Sequence, residues 1–282
     1  FIFAPFFILT SCSSLLYQPT FIVHYPPEQL SVTPHDTEIT VEPNIKLKGW
    51  YFSSQKNPKA LIIFFHGNGQ NLTSHYTTLL WVLRHGYDFF IWDYRGYGAS
   101  QGKPTPENTA KDGVQIIQAM HHMHPNLPII IFGQSLGGAV AMESVIMLQH
   151  SVPISAVVVD SAFASYKATA RKVLARHWLT WIAQPFTYIL LSDAYAPDDH
   201  IGEIAPIPML VMHGDHDQIV DYSLGQDVYA QAKDPKEFWT ITDGYHIDSF
   251  WGHNMIYRTK FLDYLNRILS PKKHESKKSV AN

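Results

Sequence analysis

The chain contains a series of short apolar runs in which polar and apolar residues do not alternate. Such runs are typical of strands buried on both faces of a sheet. Alternation is instead found in residues 37–42 and 45–52, and it indicates a half-exposed antiparallel hairpin around Pro43 and Asn44. The unbroken runs lie at residues 60–65, 89–92, 128–132 and 154–159, and residues 208–213 and 237–242 complete the series of predicted strands.

Helical patterns separate most of the neighbouring strands. A repeated order of strand, helix and strand implies right-handed crossovers and a parallel sheet. We therefore predict an α/β fold, with an eight-stranded, mostly parallel sheet covered by helices on both faces. The helical patterns cover residues 73–85, 106–123, 136–149, 222–232 and 254–269.

One segment, residues 165 to about 204, does not fit this alternation. Large apolar residues recur there at roughly helical spacing, and Pro185 breaks or kinks the run. Two interpretations are open: a crossover helix packed on the core, or a small helical cap over the active site. The domain prediction adopts the cap, because α/β enzymes bind substrates at the carboxyl ends of their strands. The large apolar residues are Trp178, Trp181, Ile182, Phe186, Ile189 and Leu190.

Length and composition favour one large domain. The 282 residues are 46% hydrophobic, and we place the domain at residues 36–270. Only 16% of residues are charged, below the roughly 25% of ordinary soluble domains, which favours an apolar ligand or a membrane as a partner. A net charge of −3 argues against nucleic acid. Residues 271–282 are predicted to be a disordered basic tail.

The amino terminus resembles an export signal. Residues 1–11 are typical of the apolar part of a signal peptide whose start lies outside the sequence, and they are too short to span a bilayer. Cys12 follows Leu9-Thr-Ser, which resembles a bacterial lipobox, so Cys12 is the predicted lipidation site. Residues 12–35 would then be the anchor and an irregular lead-in. We expect an exported lipoprotein of the bacterial periplasm or outer membrane.

The strongest chemical signal is Gly133-x-Ser135-x-Gly137, which stands between a predicted strand and an alanine-rich helix. This context is required by a nucleophile elbow, in which a tight turn presents a serine hydroxyl above the sheet. A glycine-rich turn with a solvated serine would give the same pattern by chance. The flanking strand and helix favour Ser135 as the nucleophile.

A serine nucleophile needs a base and an orienting carboxylate. The loop after residues 208–213 offers Asp215 and Asp217, and the loop after the last strand offers His246. We favour Asp217, which lies deeper in its loop. The chain order serine, aspartate, histidine is that of α/β-hydrolases.

Donors for a developing oxyanion are predicted from two loops. The sequence Phe64-Phe-His-Gly-Asn-Gly follows the first buried strand, and a loop there can direct the main-chain N–H of Asn68 toward Ser135. The N–H of Leu136, at the start of the next helix, would be the second donor.

Five motifs together resemble the α/β-hydrolase superfamily, and within it a membrane-associated branch of depalmitoylating thioesterases and uncharacterised bacterial esterases. The resemblance covers about residues 36–270 and implies Asp217 as the acid and His246 as the base. Tyr245 stands where glycine is common, and the chain has His-Gly-Asn-Gly in place of a three-glycine lipase loop. The motifs lie at residues 64–69, 93–100, 133–138, 208–220 and 244–248.

The predicted activity is therefore that of a serine hydrolase cleaving carboxylic esters or thioesters, with small-molecule or lipid-like acyl substrates and no cofactor or metal. Two alternatives stay open: a prolyl-peptidase-like amide hydrolase and a non-catalytic binding lipoprotein with the hydrolase fold. His121, His122 and His124 form a cluster, but no carboxylate or cysteine accompanies them, and we interpret them as solvated.

Overall fold

The computed structural model describes residues 16–30, 32–54, 57–175 and 184–270. The predicted signal peptide, Cys12 and the tail 271–282 lie outside these ranges. Strands in the described residues are β1 (Gln18–Pro19), β2 (His35–Glu42), β3 (Ile45–Phe52), β4 (Ala60–Phe65), β5 (Gly69–Gln70), β6 (Tyr87–Trp92), β7 (Ile129–Gln134), β8 (Ile154–Asp160), β9 (Met209–Gly214) and β10 (Lys236–Ile241).

The described strands form an eight-stranded sheet in the order β10-β9-β8-β7-β4-β6-β3-β2. Strands β2 and β3 form the antiparallel hairpin, and β3 is antiparallel to β6. The remaining neighbours in the sheet, β6 with β4, β4 with β7, β7 with β8, β8 with β9 and β9 with β10, are parallel. Strands β4, β6, β7 and β9 are buried along their whole length, as unbroken apolar runs require. The predicted mixed sheet is confirmed.

Helices cover both faces of the sheet. The described α-helices are α1 (Leu72–His75), α2 (Pro106–Met123), α3 (Leu136–Leu148), α4 (Tyr166–Ala175), α5 (Thr187–Leu190), α6 (Tyr222–Gln231) and α7 (Ile256–Leu269). Helices α2, α3 and α6 pack on one apolar cluster, and α1 and α7 pack on the other. The carboxyl ends of the parallel strands are thus left to the loops that carry the candidate residues.

The prediction of one helix over residues 73–85 is wrong in detail. The segment forms α1 and two 3₁₀ turns, Tyr76–Thr78 and Leu80–His85. Its buried residues Tyr76, Leu79 and Val82 are three apart, which matches the three residues per turn of a 3₁₀ helix.

The described part of the insertion between β8 and β9 contains short helices joined by turns. It contains α4, a 3₁₀ turn at Gln184–Phe186, α5 and a further turn at Ile201–Ile204. Residues 176–183, which include Trp178, Trp181 and Ile182, lie outside the described ranges. Among the described helices, none is both long and apolar enough to cross a membrane.

Residues 16–30, which belong to the predicted lead-in, contain the two-residue strand β1 and a 3₁₀ turn at Pro27–Leu30. Strand β1 pairs in parallel with β5, which follows Asn68 in the loop predicted to supply an oxyanion donor. The side chain of Tyr17 is only 5% exposed and belongs to the core cluster beneath α2 and α3. Residues 16–30 therefore pack on the domain, although they precede its predicted boundary at residue 36.

Candidate active site

Ser135 occupies a strained turn between β7 and α3. Its backbone has φ 54° and ψ −123°, a conformation that residues with a side chain rarely adopt. The glycines around it allow this turn to form: a Cβ on Gly133 would lie 2.6 Å from the carbonyl oxygen of Gly137, and one on Gly137 would lie 2.2 Å from the carbonyl oxygen of Phe65. The turn is thus a nucleophile elbow in geometry.

The loops after β9 and β10 bring the other two candidates to Ser135. The Nε2 atom of His246 lies 3.0 Å from Ser135 Oγ, and its Nδ1 atom lies 2.7 Å from Asp217 Oδ2. A carboxylate can only accept a hydrogen bond, so Nδ1 donates to Asp217, and Nε2 is left to accept from the serine hydroxyl. This is the geometry of a serine, histidine and aspartate relay.

Asp217 is held as an ionised acceptor. Its Oδ1 atom accepts from the main-chain N–H groups of Ile219 at 2.8 Å and Val220 at 2.9 Å. Burial alone would raise the pKa of Asp217, but hydrogen bonds from His213 and His246 outweigh it and hold that pKa well below its usual range. Asp215, the other candidate, is exposed to solvent in the same loop.

The two predicted oxyanion donors border the same cavity as Ser135. Leu136 is the first residue of α3, and the first N–H groups of a helix have no acceptor within it. The side chain of Asn68 is engaged elsewhere, with Oδ1 accepting from Gln18 N at 2.9 Å and from Tyr97 Oη at 2.8 Å. Only its main-chain N–H is therefore a candidate donor for the oxyanion.

A largely apolar cavity of about 540 Å³ opens at Ser135. This volume is within the range of small-molecule sites. Helix α4 and α5 of the insertion supply part of its wall, which agrees with the predicted cap. The apolar lining includes Leu136, Phe163, Tyr166, Val173, Leu191 and Val220.

A second cavity, of about 990 Å³, is lined in part by His246, the residue that is hydrogen-bonded to Ser135. Its wall includes Trp81, Arg84 and Arg258. Arg258 lies over the Trp81 ring at 5.3 Å and donates from Nε to the carbonyl oxygen of Phe250 at 2.9 Å. Ser135 thus lines the first cavity and His246 the second, and the two side chains meet where the cavities approach each other.

The family model described as serine aminopeptidase, S33, matches residues 56–199, just over half of the chain. The chain belongs to this family. Its similarity to the YfhR protein of Escherichia coli (strain K12) is 30% identity over 277 residues, 94% of each chain. The lysophosphatidylserine lipase ABHD12 of Mus musculus is 27% identical over 231 residues, which are 77% of this chain and 57% of the lipase.

An enzyme of known structure shares the fold of this member of the serine aminopeptidase family. The Pyrococcus furiosus esterase Pf2001 has a TM-score of 0.72 at 24% identity, and the match covers 90% of this chain and 99% of the esterase. The resemblance to α/β-hydrolases is thereby confirmed, and the chain is a hydrolase by family.

Beneath the elbow of this hydrolase lies a buried carboxylate that the sequence motifs do not identify. Asp160, at the end of β8, accepts hydrogen bonds from Gln134 Nε2 at 2.9 Å and Ser249 Oγ at 2.7 Å. Ser161 Oγ accepts from the N–H of Ile247, the residue after His246, at 3.1 Å. Burial raises the pKa of Asp160. These contacts join the end of β8 to the histidine loop.

His213 also supports the site, although the sequence motifs do not identify it as a functional residue. Its ring is fully buried, with Nε2 3.0 Å from the carbonyl oxygen of Val220 and 3.4 Å from Asp217 Oδ2. The ring therefore braces the loop that carries the acid. In the histidine cluster at the end of α2, the ring of His124, which follows the last helical residue, stacks on Tyr51 with centroids 4.7 Å apart.

Proposed function

We propose that the chain is a serine hydrolase that cleaves carboxylic esters or thioesters through an acyl-enzyme. The observation that carries the proposal is the hydrogen-bonded series Ser135, His246 and Asp217, whose serine opens onto an apolar cavity. The relation to a lysophosphatidylserine lipase supports acyl substrates, including lipid-like ones.

In the first half-reaction, Ser135 Oγ forms a bond to the acyl carbon and its proton passes to His246 Nε2. The main-chain N–H groups of Asn68 and Leu136 stabilise the negative oxygen of the tetrahedral intermediate. The bond from carbon to the leaving oxygen or sulfur then breaks, and the leaving group takes the proton from Nε2. Water repeats the sequence on the acyl-enzyme and restores the Ser135 hydroxyl.

The two cavities suggest how a substrate would lie. The 540 Å³ cavity beside Ser135 fits an aliphatic acyl chain, because its lining is mostly apolar. His246 protonates the leaving group, so the alcohol or thiol would face the cavity that His246 borders.

Labelling of the full chain with a fluorophosphonate probe tests this proposal. We expect modification of Ser135, located by peptide mass spectrometry, and loss of labelling in Ser135→Ala and His246→Ala. The matched control is Ser144→Ala, a buried serine of α3 whose hydroxyl donates to main-chain oxygens. A folded protein that is not labelled would instead favour the non-catalytic binding lipoprotein.

An amide substrate is the second candidate, because the family model is described as a serine aminopeptidase. The same serine relay can cleave either bond. Matched p-nitrophenyl esters and aminoacyl p-nitroanilides would separate the two. We expect faster turnover of the esters, and a preference for the anilides would support the peptidase alternative.

We further propose that the protein is exported and lipid-anchored at Cys12 in the periplasm or outer membrane of a bacterium. The support is the sequence Leu9-Thr-Ser before Cys12. Fractionation of a Cys12→Ser variant tests it: the variant should leave the membrane fraction, and unchanged partitioning would contradict lipidation.

A further inference from the structure

Residues 16–25, here called the strap, run alongside the loop that carries Asn68. Strand β1 of the strap pairs residue by residue with β5, so that Gln18 faces Gly69 and Pro19 faces Gln70. The strap is fixed to the core by Tyr17, whose hydroxyl lies 2.7 Å from Thr109 Oγ1 on α2. It is therefore an integral part of the domain.

The side chain of Asn68 links the strap to the loop that carries the candidate oxyanion donor. Its Oδ1 atom accepts from the main-chain N–H of Gln18 at 2.9 Å, and its Nδ2 atom donates to the carbonyl oxygen of Leu16. Tyr97 Oη donates to the same Oδ1 atom at 2.8 Å. Both ends of the amide are satisfied by these partners, so the strap restrains the residue whose main-chain N–H is the candidate oxyanion donor.

The far end of the loop is held in the same way. The Nδ2 atom of Asn71 donates to the carbonyl oxygens of Thr20 and Ile22, each at 2.9 Å. Thr73 accepts twice, at its hydroxyl from the N–H of His24 at 3.0 Å and at its carbonyl from the N–H of Tyr25 at 3.1 Å. The loop from residue 68 to residue 73 is thus attached to the strap at both ends.

The strap also reaches the cavity beside Ser135. Leu16 and Gln18 contribute to its wall, together with residues supplied by the cap. A change at Leu16 would therefore alter the space for an acyl chain without touching Ser135, His246 or Asp217.

We propose that the strap is a positioning and specificity element of the active site. Through Asn68 it holds an oxyanion donor in place, and through Leu16 and Gln18 it limits the acyl cavity. This inference rests on the proposed hydrolase function, because a donor and an acyl wall have meaning only for that reaction.

Two variants of the full chain test it separately. Asn68→Ala keeps the main-chain N–H but removes its attachment to the strap. Loss of one oxyanion donor costs about 10²–10³-fold in kcat, so a displaced donor should cost about 10- to 100-fold, with KM changed less than about threefold. Leu16→Trp should instead lower kcat/KM for decanoyl p-nitrophenyl esters at least about tenfold and leave acetyl esters within about twofold.

The matched control for Asn68→Ala is Asn108→Ala. Asn108 also uses both ends of its amide, accepting from Thr105 N at 2.8 Å and donating to Lys103 O at 2.9 Å, but it belongs to the capping box of α2 and is not among the residues that line the Ser135 cavity. A merely structural strap predicts equal kcat for the two variants at a temperature where both are folded. Equal kcat, or one common factor at every chain length for Leu16→Trp, would overturn the inference.

The outcome can be told apart from failure of the proposed function. Fluorophosphonate labelling of wild-type Ser135 and hydrolysis of any ester establish the hydrolase first. If wild-type protein is labelled and active while Asn68→Ala has the same kcat as Asn108→Ala, or Leu16→Trp slows all esters by one common factor, the hydrolase stands and the strap inference fails. Absence of labelling in wild-type protein would refute both.

Discussion

Replacing Asp217 by asparagine should disable the histidine while preserving the shape of the site. The Oδ1 position of Asp217 accepts from two main-chain N–H groups, those of Ile219 and Val220. The amide oxygen of asparagine must take that position, because an NH₂ group there would face two donors. Its NH₂ group would then face His246 Nδ1, now donor against donor.

The consequence is a change of tautomer. His246 would move its proton from Nδ1 to Nε2, and Nε2 could no longer accept from Ser135 Oγ. In serine protease triads the same replacement lowers kcat about 10⁴-fold. We expect about 10³–10⁴-fold for Asp217→Asn, which corresponds to about 4–5.5 kcal/mol of transition-state stabilisation.

The assay is steady-state hydrolysis of a p-nitrophenyl ester, with Asp215→Asn as the control. Asp215 lies two residues away in the same loop and is exposed, so its variant should keep kcat within about twofold. A loss smaller than tenfold in Asp217→Asn, or an equal loss in Asp215→Asn, would refute the assignment of Asp217.

Three further changes have defined outcomes. Gly137→Ala places a Cβ 2.2 Å from the carbonyl oxygen of Phe65, and should lower the free energy of unfolding by about 1–3 kcal/mol in urea titration. Ala170→Trp fills the cavity beside Ser135, and should lower kcat/KM for long acyl esters at least about tenfold while sparing acetyl esters. Burial raises the pKa of Glu143 from 4.5 to about 7, so the need to ionise Glu143 destabilises the fold increasingly from about pH 4.5 and in full above about pH 7. Glu143→Gln should therefore stabilise the fold by about 1–3 kcal/mol at pH 8, with the gain vanishing toward pH 4 in thermal melts. An unchanged melting temperature of Glu143→Gln at pH 8 or an unchanged free energy of unfolding of Gly137→Ala would contradict the argument for that variant. For Ala170→Trp, an equal loss of kcat/KM for all esters would do so.

The sheet could be predicted from the sequence because its strands carry strong local signals. Buried parallel strands such as β4 and β7 are unbroken apolar runs, and the β2 and β3 hairpin alternates. The 3₁₀ turns after α1 were missed because their apolar spacing differs only slightly from that of an α-helix.

The strap left no comparable signal. Its attachment to the domain uses main-chain groups of Gln18, Thr20 and Ile22, and main-chain hydrogen bonds impose no pattern on side chains. Phe21, Ile22 and Val23 are exposed, so apolar character there would even mislead a search for the core.

The candidate relay was predictable because each member follows a strand and stands in a short motif. The structure brings Ser135, His246 and Asp217 into one series of hydrogen bonds. Asp160 was not predictable, since a carboxylate at the end of a strand is common and its partners Gln134 and Ser249 are distant in sequence.

The most direct test of the central proposal is capture of the acyl-enzyme. The full chain would be mixed with a p-nitrophenyl ester, quenched in acid within the first turnovers, and mapped by peptide mass spectrometry. The proposed mechanism predicts one acyl mass increment on the peptide containing Ser135, absent from Ser135→Ala. Ester hydrolysis that persists in Ser135→Ala, or an acyl group on another residue, would contradict it.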